Sequence, residues 1–247
     1  PELKNVPVII GESDPEGCAA CGMQTNPENA YRNGTLYASY TASSIAREYD
    51  LAEEFGVNLL AAVNWSFEFE NQPWFAGYRD LATNGINKPV LNVFKMFGMM
   101  QGNRVAVSGD LAYNAQKIRN DSVRGERTDI NALATADRKS ISVLVWNYHD
   151  EDIINDGSPV ELTIKGVEAK ALKLAHYRID SEHSNSYAAW KKMGSPQQPT
   201  AEQIATLEKA SALVRLNVPE KVKVKNNEAK IKMQLPRQGV SLIKLSY

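Results

Sequence analysis

The sequence predicts an α/β segment followed by an all-β one. Residues 1–101 read as the C-terminal part of a (β/α)8 barrel, carrying its strands 7 and 8 with their helices. Residues 102–247 read as a β-sandwich accessory domain with an inserted helical segment at 186–213. Two observations carry this. Two apolar β-runs, each ending in carboxylates and each followed by a helical period, fill the first hundred residues, which is the grammar of a parallel sheet or barrel. Beyond Arg104 that grammar gives way to short alternating runs separated by turn signals. Two βα units cannot close a barrel, which takes eight strands, so the first segment reads as a barrel's last quarter.

The first run is Val8-Ile9-Ile10, ending in Gly11-Glu12 and broken at Asp14-Pro15 and Gly17. So short an apolar run suits a strand buried on both faces. A helix is predicted over Leu36 to Phe55, with Leu36, Tyr40, Ile45, Tyr49, Leu51, Ala52 and Phe55 as its apolar face and Gly56 as its stop. Asn58 to Trp65 is the second strand, and the polar-aromatic cluster Trp65 to Phe75 follows it. A loop with Gly77, Asn84-Gly85 and Pro89 leads to a helix over Val90 to Met100. Further strands are predicted at 104–107, 130–135, 140–147, 160–165, 171–178, 221–225, 230–235 and 240–245. Thr200 with Gln203 three positions on opens the inserted helix as a capping box.

Composition excludes little but is consistent. Hydrophobic residues make up 43% and charged residues 23% of 247 positions, as in ordinary globular proteins. A net charge of −1 gives no electrostatic reason to expect nucleic acid or an anionic membrane as partner. No apolar run approaches the ~20 residues that span a bilayer. The chain starts at Pro1 and enters a strand within a few residues, which is expected of a piece of something longer. Cys18 and Cys21 form a CxxC on a loop whose nearest histidine is His149, far too distant in sequence to suggest zinc. Nor does the motif open a thioredoxin-like helix. Two loop thiols, or a local disulfide shaping the mouth of a site, remain.

Cleaving a glycosidic bond usually takes two carboxylates, one as acid and one as nucleophile or base. Glu12 lies at one strand end, and Trp65, Glu70 and Trp74 lie at or after the other. Consecutive strand ends of a barrel face one cavity, so these residues would converge there. The competing readings are a loop acid that caps the next helix and aromatics that pack beneath a loop.

At GESDPEGCAAC (11–21), YRNGT (31–35), NWSFEFENQPWFAGYRDLATNGINKPVLNVFKMF (64–97), HYRIDSEHSNSYAAWKKMGSPQQPT (176–200) and LPRQGVSLIKL (235–245), the sequence resembles glycoside hydrolase family 39, in its bacterial β-xylosidase branch. The resemblance implies a retaining double displacement with Glu12 as nucleophile. It makes Glu70 of Phe69-Glu70 the ligand of a sugar hydroxyl, with Glu68 competing for that role, and Trp65, Phe69 and Trp74 part of the sugar site. The family's general acid/base sits in an Asn-Glu-Pro motif, and no such motif occurs in this chain. Gly-Glu-Ser replaces the family's usual Thr-Glu-aromatic around the nucleophile.

The implied substrates are xylo-oligosaccharides or aryl and alkyl β-xylosides, the implied partner is the N-terminal barrel portion, and no metal or organic cofactor is implied. Many relatives act inside the cell, which favours a bacterial cytoplasm over a periplasm. α-L-Arabinosidase or α-L-iduronidase activity is the alternative, as is a non-catalytic fragment or binding module. A carboxylated sugar would require a base, and Arg79 is the nearest one to an otherwise acidic and aromatic cluster. The segment Arg178 to Pro199, with Asp180, Glu182, His183, Asn185 and Trp190, reads as polar groups tying a long loop down or, less simply, as a rim of the substrate entrance.

Overall fold

A computed structural model describes residues 5–64, 66, 71–152 and 157–247. Strand β1 (Val8–Ile10) pairs in parallel with β2 (Leu59–Ala62), in the register Val8 to Leu59 and Ile10 to Ala62. Helix α1 (Thr35–Phe55) makes the crossover, preceded by a 3-10 turn over Pro27–Asn33. It stops where Gly56 takes the left-handed conformation (φ 63°), and the glycine N–H satisfies the carbonyls of Ala52 and Glu53. A tight hairpin follows, β3 (Ala82–Thr83) and β4 (Ile86–Asn87). Its two-residue turn, Asn84-Gly85, takes positive φ at both positions (47° and 82°), the conformation such hairpins prefer. Helix α2 (Pro89–Met99) begins with proline at its first turn, where the missing N–H costs nothing.

The remaining strands form one antiparallel sheet: β5 (Asn103–Val105), β6 (Asp129–Ala136), β7 (Ser140–Tyr148), β8 (Ser158–Lys165), β9 (Ala171–Ile179), β10 (Val214–Arg215), β11 (Lys221–Lys225), β12 (Glu228–Leu235) and β13 (Val240–Ser246). The spatial order is β5-β6-β7-β13-β9-β11-β12-β8, and β10 pairs beside β9. Strand β11 pairs with β9 through Lys221–Lys223 and with β12 through Val224 and Lys225, so it joins β12 and β8 to the rest of the sheet. One core cluster gathers Val143, Leu172, Leu174, Ile243 and Leu245 with Val160, Ala229, Ile231 and Leu235. Three helices punctuate the strands: α3 (Ala115–Asp121), α4 (Ser186–Lys192) and α5 (Ala201–Ser211). The capping box of α5 forms as expected, with Thr200 and Gln203 satisfying each other's backbone.

A second core joins the segments. Ala38, Ala42 and Ala46 of α1 and Val93 and Met96 of α2 pack on the sheet's other face, against Leu133, Leu144, Trp146, Ile179, Val240 and Leu242. This corrects the expected face of α1 in part, since Leu36 is buried as expected. What packs on the sheet is the small-residue stripe, because alanines let the helix lie close on it. Leu51 and Phe55 are exposed instead, Phe55 by 68%. Arg47 on α1 reaches the fully buried Asp129 at 2.7 Å, and Asp129 also accepts the Trp146 indole N–H at 3.0 Å and the Tyr113 amide at 2.8 Å. Strand β1 departs from expectation too. Val8 and Ile9 are 40% and 57% exposed, because among the described residues only β2 pairs with β1.

His176 on β9 is 4% exposed and its Nε2 lies 3.0 Å from Ser241 Oγ, which accepts from Arg178 Nε at 2.7 Å. Burial, reinforced by the Arg178 charge, pushes its pKa down from 6.5 to about 4. Between those values the unfolded chain takes up a proton that the folded one refuses. Stability should therefore be level above pH 6.5 and fall as the pH drops towards 4, by up to ~3 kcal/mol from this group. Thermal melts of wild type and His176→Gln across that window test this, with a shallower decline expected in the variant. Equal slopes would rule the group out.

Candidate active site

The backbone ladder between β1 and β2 continues past the strands. The amide of Val63 donates to Ile10 O at 3.0 Å and that of Ser13 to Val63 O at 2.8 Å. This brings Glu12 and Asn64 to the same, carboxyl, end of the parallel pair, where folds of this kind place their chemistry. Trp65, Glu68, Phe69 and Glu70, expected to complete the sugar site there, lie outside the described residues.

Glu12 is a third exposed, and its Oε1 accepts from Nη2 of Arg79, a side chain only 1% exposed. Arg79 is held on its other sides as well. Its Nη1 donates to the carbonyls of Glu16 and, at 3.2 Å, Gly17, and its Nε lies 3.6 Å from Asp14 Oδ2. The Asp14 side chain is fully buried. Its Oδ1 accepts from the Tyr37 hydroxyl at 3.0 Å and from Asn64 Nδ2, which also donates to the Tyr37 oxygen at 2.8 Å. Burial raises the Tyr37 pKa and so keeps its proton available for donation. A chain of polar contacts therefore runs from Glu12 through Arg79 and Asp14 to the end of β2.

The loop beyond Glu12 is fixed by a second buried guanidinium. Arg32 donates to Glu16 Oε1 from Nη2 at 2.8 Å, and from Nη1 to the carbonyls of Cys18 at 3.2 Å and Cys21 at 3.0 Å. Cys18 and Cys21 are joined as a disulfide, so of the two open readings of the CxxC the structure adopts the local bridge. Asn29 Nδ2 adds a further bond to Cys21 O at 2.5 Å.

Trp74 lies in another cluster. It packs with Phe75, Tyr187 and Trp190, the last two from α4. Gln197 clasps its backbone, accepting from Trp74 N at 2.8 Å and donating to Trp74 O at 3.1 Å. Phe75 is buried with φ at 51°, a conformation uncommon for a bulky residue. Asn33 Nδ2 to Phe75 O at 2.8 Å and Phe75 N to Thr83 Oγ1 at 3.1 Å hold it there. Several polar groups of 178–199 are tied into the structure, though Glu182 stays exposed. Asp180 accepts from His183 Nδ1 and the amides of Glu182 and His183, each at 2.8 Å, and Asn92 on α2 donates to Ser184 O at 3.3 Å. Ser186 Oγ donates to Asn87 O at 2.6 Å.

Asp14, Tyr37, Arg32 and Gln197 were not singled out by motif as parts of this arrangement, and Arg79 was noted only as the base nearest the cluster. Asp14, Arg32, Arg79 and Gln197 do fall inside the stretches that carry the resemblance, but polar residues in loops look solvated until burial is known.

The sequence profile described as Glycosyl hydrolases family 39 matches residues 1–226. The chain is 26% identical over 156 residues to a β-xylosidase of Caldicellulosiruptor saccharolyticus, covering 63% of this chain and 29% of that protein. In structure it is similar to a monomeric β-xylosidase from Caulobacter crescentus, with a TM-score of 0.72 at 17% identity, over 97% of this chain and 45% of the other. It is also similar to a bacterial orthologue of human α-L-iduronidase, with a TM-score of 0.77 at 16% identity, over 100% and 42% of the two chains. The chain thus spans less than half the length of these relatives, and the structural likeness fits a partial barrel of the (β/α)8 type.

Proposed function

The chain belongs to glycosyl hydrolase family 39, and from that premise we propose that it is the nucleophile-bearing C-terminal portion of a retaining β-xylosidase. Glu12 attacks the anomeric carbon of a terminal xylosyl residue as the glycosidic C–O bond breaks and the aglycone leaves, forming a glycosyl ester that water then hydrolyses. Glu70, or Glu68 in its place, binds sugar hydroxyls, and Trp65, Phe69 and Trp74 supply apolar surface. The antiparallel sheet is the accessory sandwich. The general acid comes from outside these residues, since the chain has no Asn-Glu-Pro. It comes with the N-terminal barrel portion, which covers the exposed apolar side chains of Ile9, Leu60 and Phe55.

The observation that carries this reading is the Glu12 carboxylate, partly exposed and ion-paired to a buried arginine at the carboxyl end of a parallel strand pair. The same contacts speak against a uronide substrate. Arg79, the base nearest the cluster, is engaged by Glu12 and backbone carbonyls and is buried away from a sugar carboxylate. The test is release of dinitrophenolate from dinitrophenyl β-xyloside, beside xylobiose and an aryl α-L-iduronide. The activated leaving group departs without a proton, whereas xylobiose needs the acid. Release from the activated xyloside alone is expected. Release from none of the three makes the chain a non-catalytic module, and preference for the iduronide overturns the substrate assignment.

A further inference from the structure

Arg79 belongs by sequence to the loop after β2, but its side chain is spent on the loop after β1. Its guanidinium is a planar fork whose donors leave in fixed directions. Asp14 Oδ2 lies 3.6 Å from Nε, and Nη1 is taken by the carbonyls of Glu16 and, at 3.2 Å, Gly17. The Arg79 backbone adds a further tie, its amide donating to Ala19 O at 3.0 Å. With those contacts made, the plane of the fork is set and Nη2 points at Glu12 Oε1. The side chain is 1% exposed, so solvent does not compete for these donors.

We propose that Arg79 is the positioning residue of Glu12, holding Oε1 so that Oε2 is the oxygen presented to the anomeric carbon. This rests on the reading of Glu12 as nucleophile. Arg79 does not touch the sugar; it fixes the carboxylate plane and the direction of attack. Its loss should slow the bond-forming step far more than it weakens sugar binding, whereas a mere loop clamp would alter both together.

The experiment uses 2-deoxy-2-fluoro-β-xylosyl fluoride with the chain as it stands, read by intact mass and by the mass of the peptide containing Glu12. In the step observed, the Oε2–C1 bond forms, the C1–F bond breaks, and fluoride leaves as the ion with the bonding pair. No proton donor is required. Wild type is expected to be esterified at Glu12. Arg79→Lys keeps the charge without the fork and should label about 10-fold more slowly. Arg79→Ala should be about 100-fold slower, the scale of a misplacement near 1 Å, with the half-saturating concentration within about 3-fold of wild type. Added guanidinium ion should restore part of the rate to Arg79→Ala and leave wild type unchanged.

Far-UV circular dichroism identifies a variant that has not folded, in which case Arg79→Lys carries the comparison. Folded Arg79 variants that label Glu12 at the wild-type rate overturn the positioning role and leave the nucleophile standing. Labelling of wild type at another carboxylate, or at none, removes the nucleophile and the positioning role with it.

Discussion

Replacing Glu12 by glycine should lower turnover of dinitrophenyl β-xyloside by on the order of 10⁴-fold or more, because a covalent route loses the atom that opens it. Glu12→Gln should fail as completely: the amide keeps the shape but neither the charge nor the nucleophilic oxygen. What separates a lost nucleophile from a damaged site is rescue. In Glu12→Gly the volume left by the carboxylate admits azide, which approaches from the side the carboxylate occupied. Azide should restore turnover of the activated substrate and yield the glycosyl azide of inverted configuration, read from its anomeric coupling in the proton NMR spectrum. Activity surviving in either variant, or an azide product of retained configuration, would place the nucleophile elsewhere.

The largest effect on stability is expected at Asp80. Its carboxylate accepts from Nζ of Lys88, and the two side chains are 1% and 0% exposed. Burial pushes the Asp80 carboxyl up and the Lys88 ammonium down, each against the attraction of its partner. A pair in this position adds little net stability, but either member alone is an uncompensated charge in a dry place. Asp80→Ala should cost about 3–5 kcal/mol, a drop in Tm of roughly 10 °C or more for a chain of this size. The double variant Asp80→Leu/Lys88→Met should recover most of that loss, which a double-mutant cycle of melts would measure. A single variant melting within about 2 °C of wild type would overturn the assignment. Lys88 also donates to Tyr78 O at 3.2 Å, so losing the pair loosens the backbone beside Arg79 and should slow Glu12 labelling as well.

Much of the architecture was legible because its periodicities are local. The β1–α1–β2 order, the α2 start near Pro89, the capping box at Thr200 and eight of the nine later strands, all but the two-residue β10, follow from runs, glycines and prolines that act over a few residues. The buried face of α1 was legible only at Leu36. Hydrophobicity pointed to Leu51 and Phe55, whereas what decides burial is closeness of approach, which Ala38, Ala42 and Ala46 permit. The order of strands in the sheet was beyond reach too, because pairing between β7 and β13 joins residues about a hundred positions apart. At the site, Glu12 stood out through the resemblance. Arg79 was legible only as the base nearest the cluster; its tie to Glu12 was not, because a loop arginine's partners are unknown until the structure shows it buried against carbonyls and a carboxylate.

The place of β13 has a consequence for how the protein is made. Strands β5 to β7 form one group and β8 to β12 another, and β13 is the strand that bonds to both, to β7 along one edge and β9 along the other. Until residues 240–246 have left the ribosome, those two groups face each other across an empty lane with unpaired backbone on either side. Such open edges invite pairing with neighbouring chains. The dangerous interval in the making of this molecule is therefore the one before β13 emerges, and slow translation or a premature stop just before Val240 should produce aggregates sooner than a soluble shortened fold.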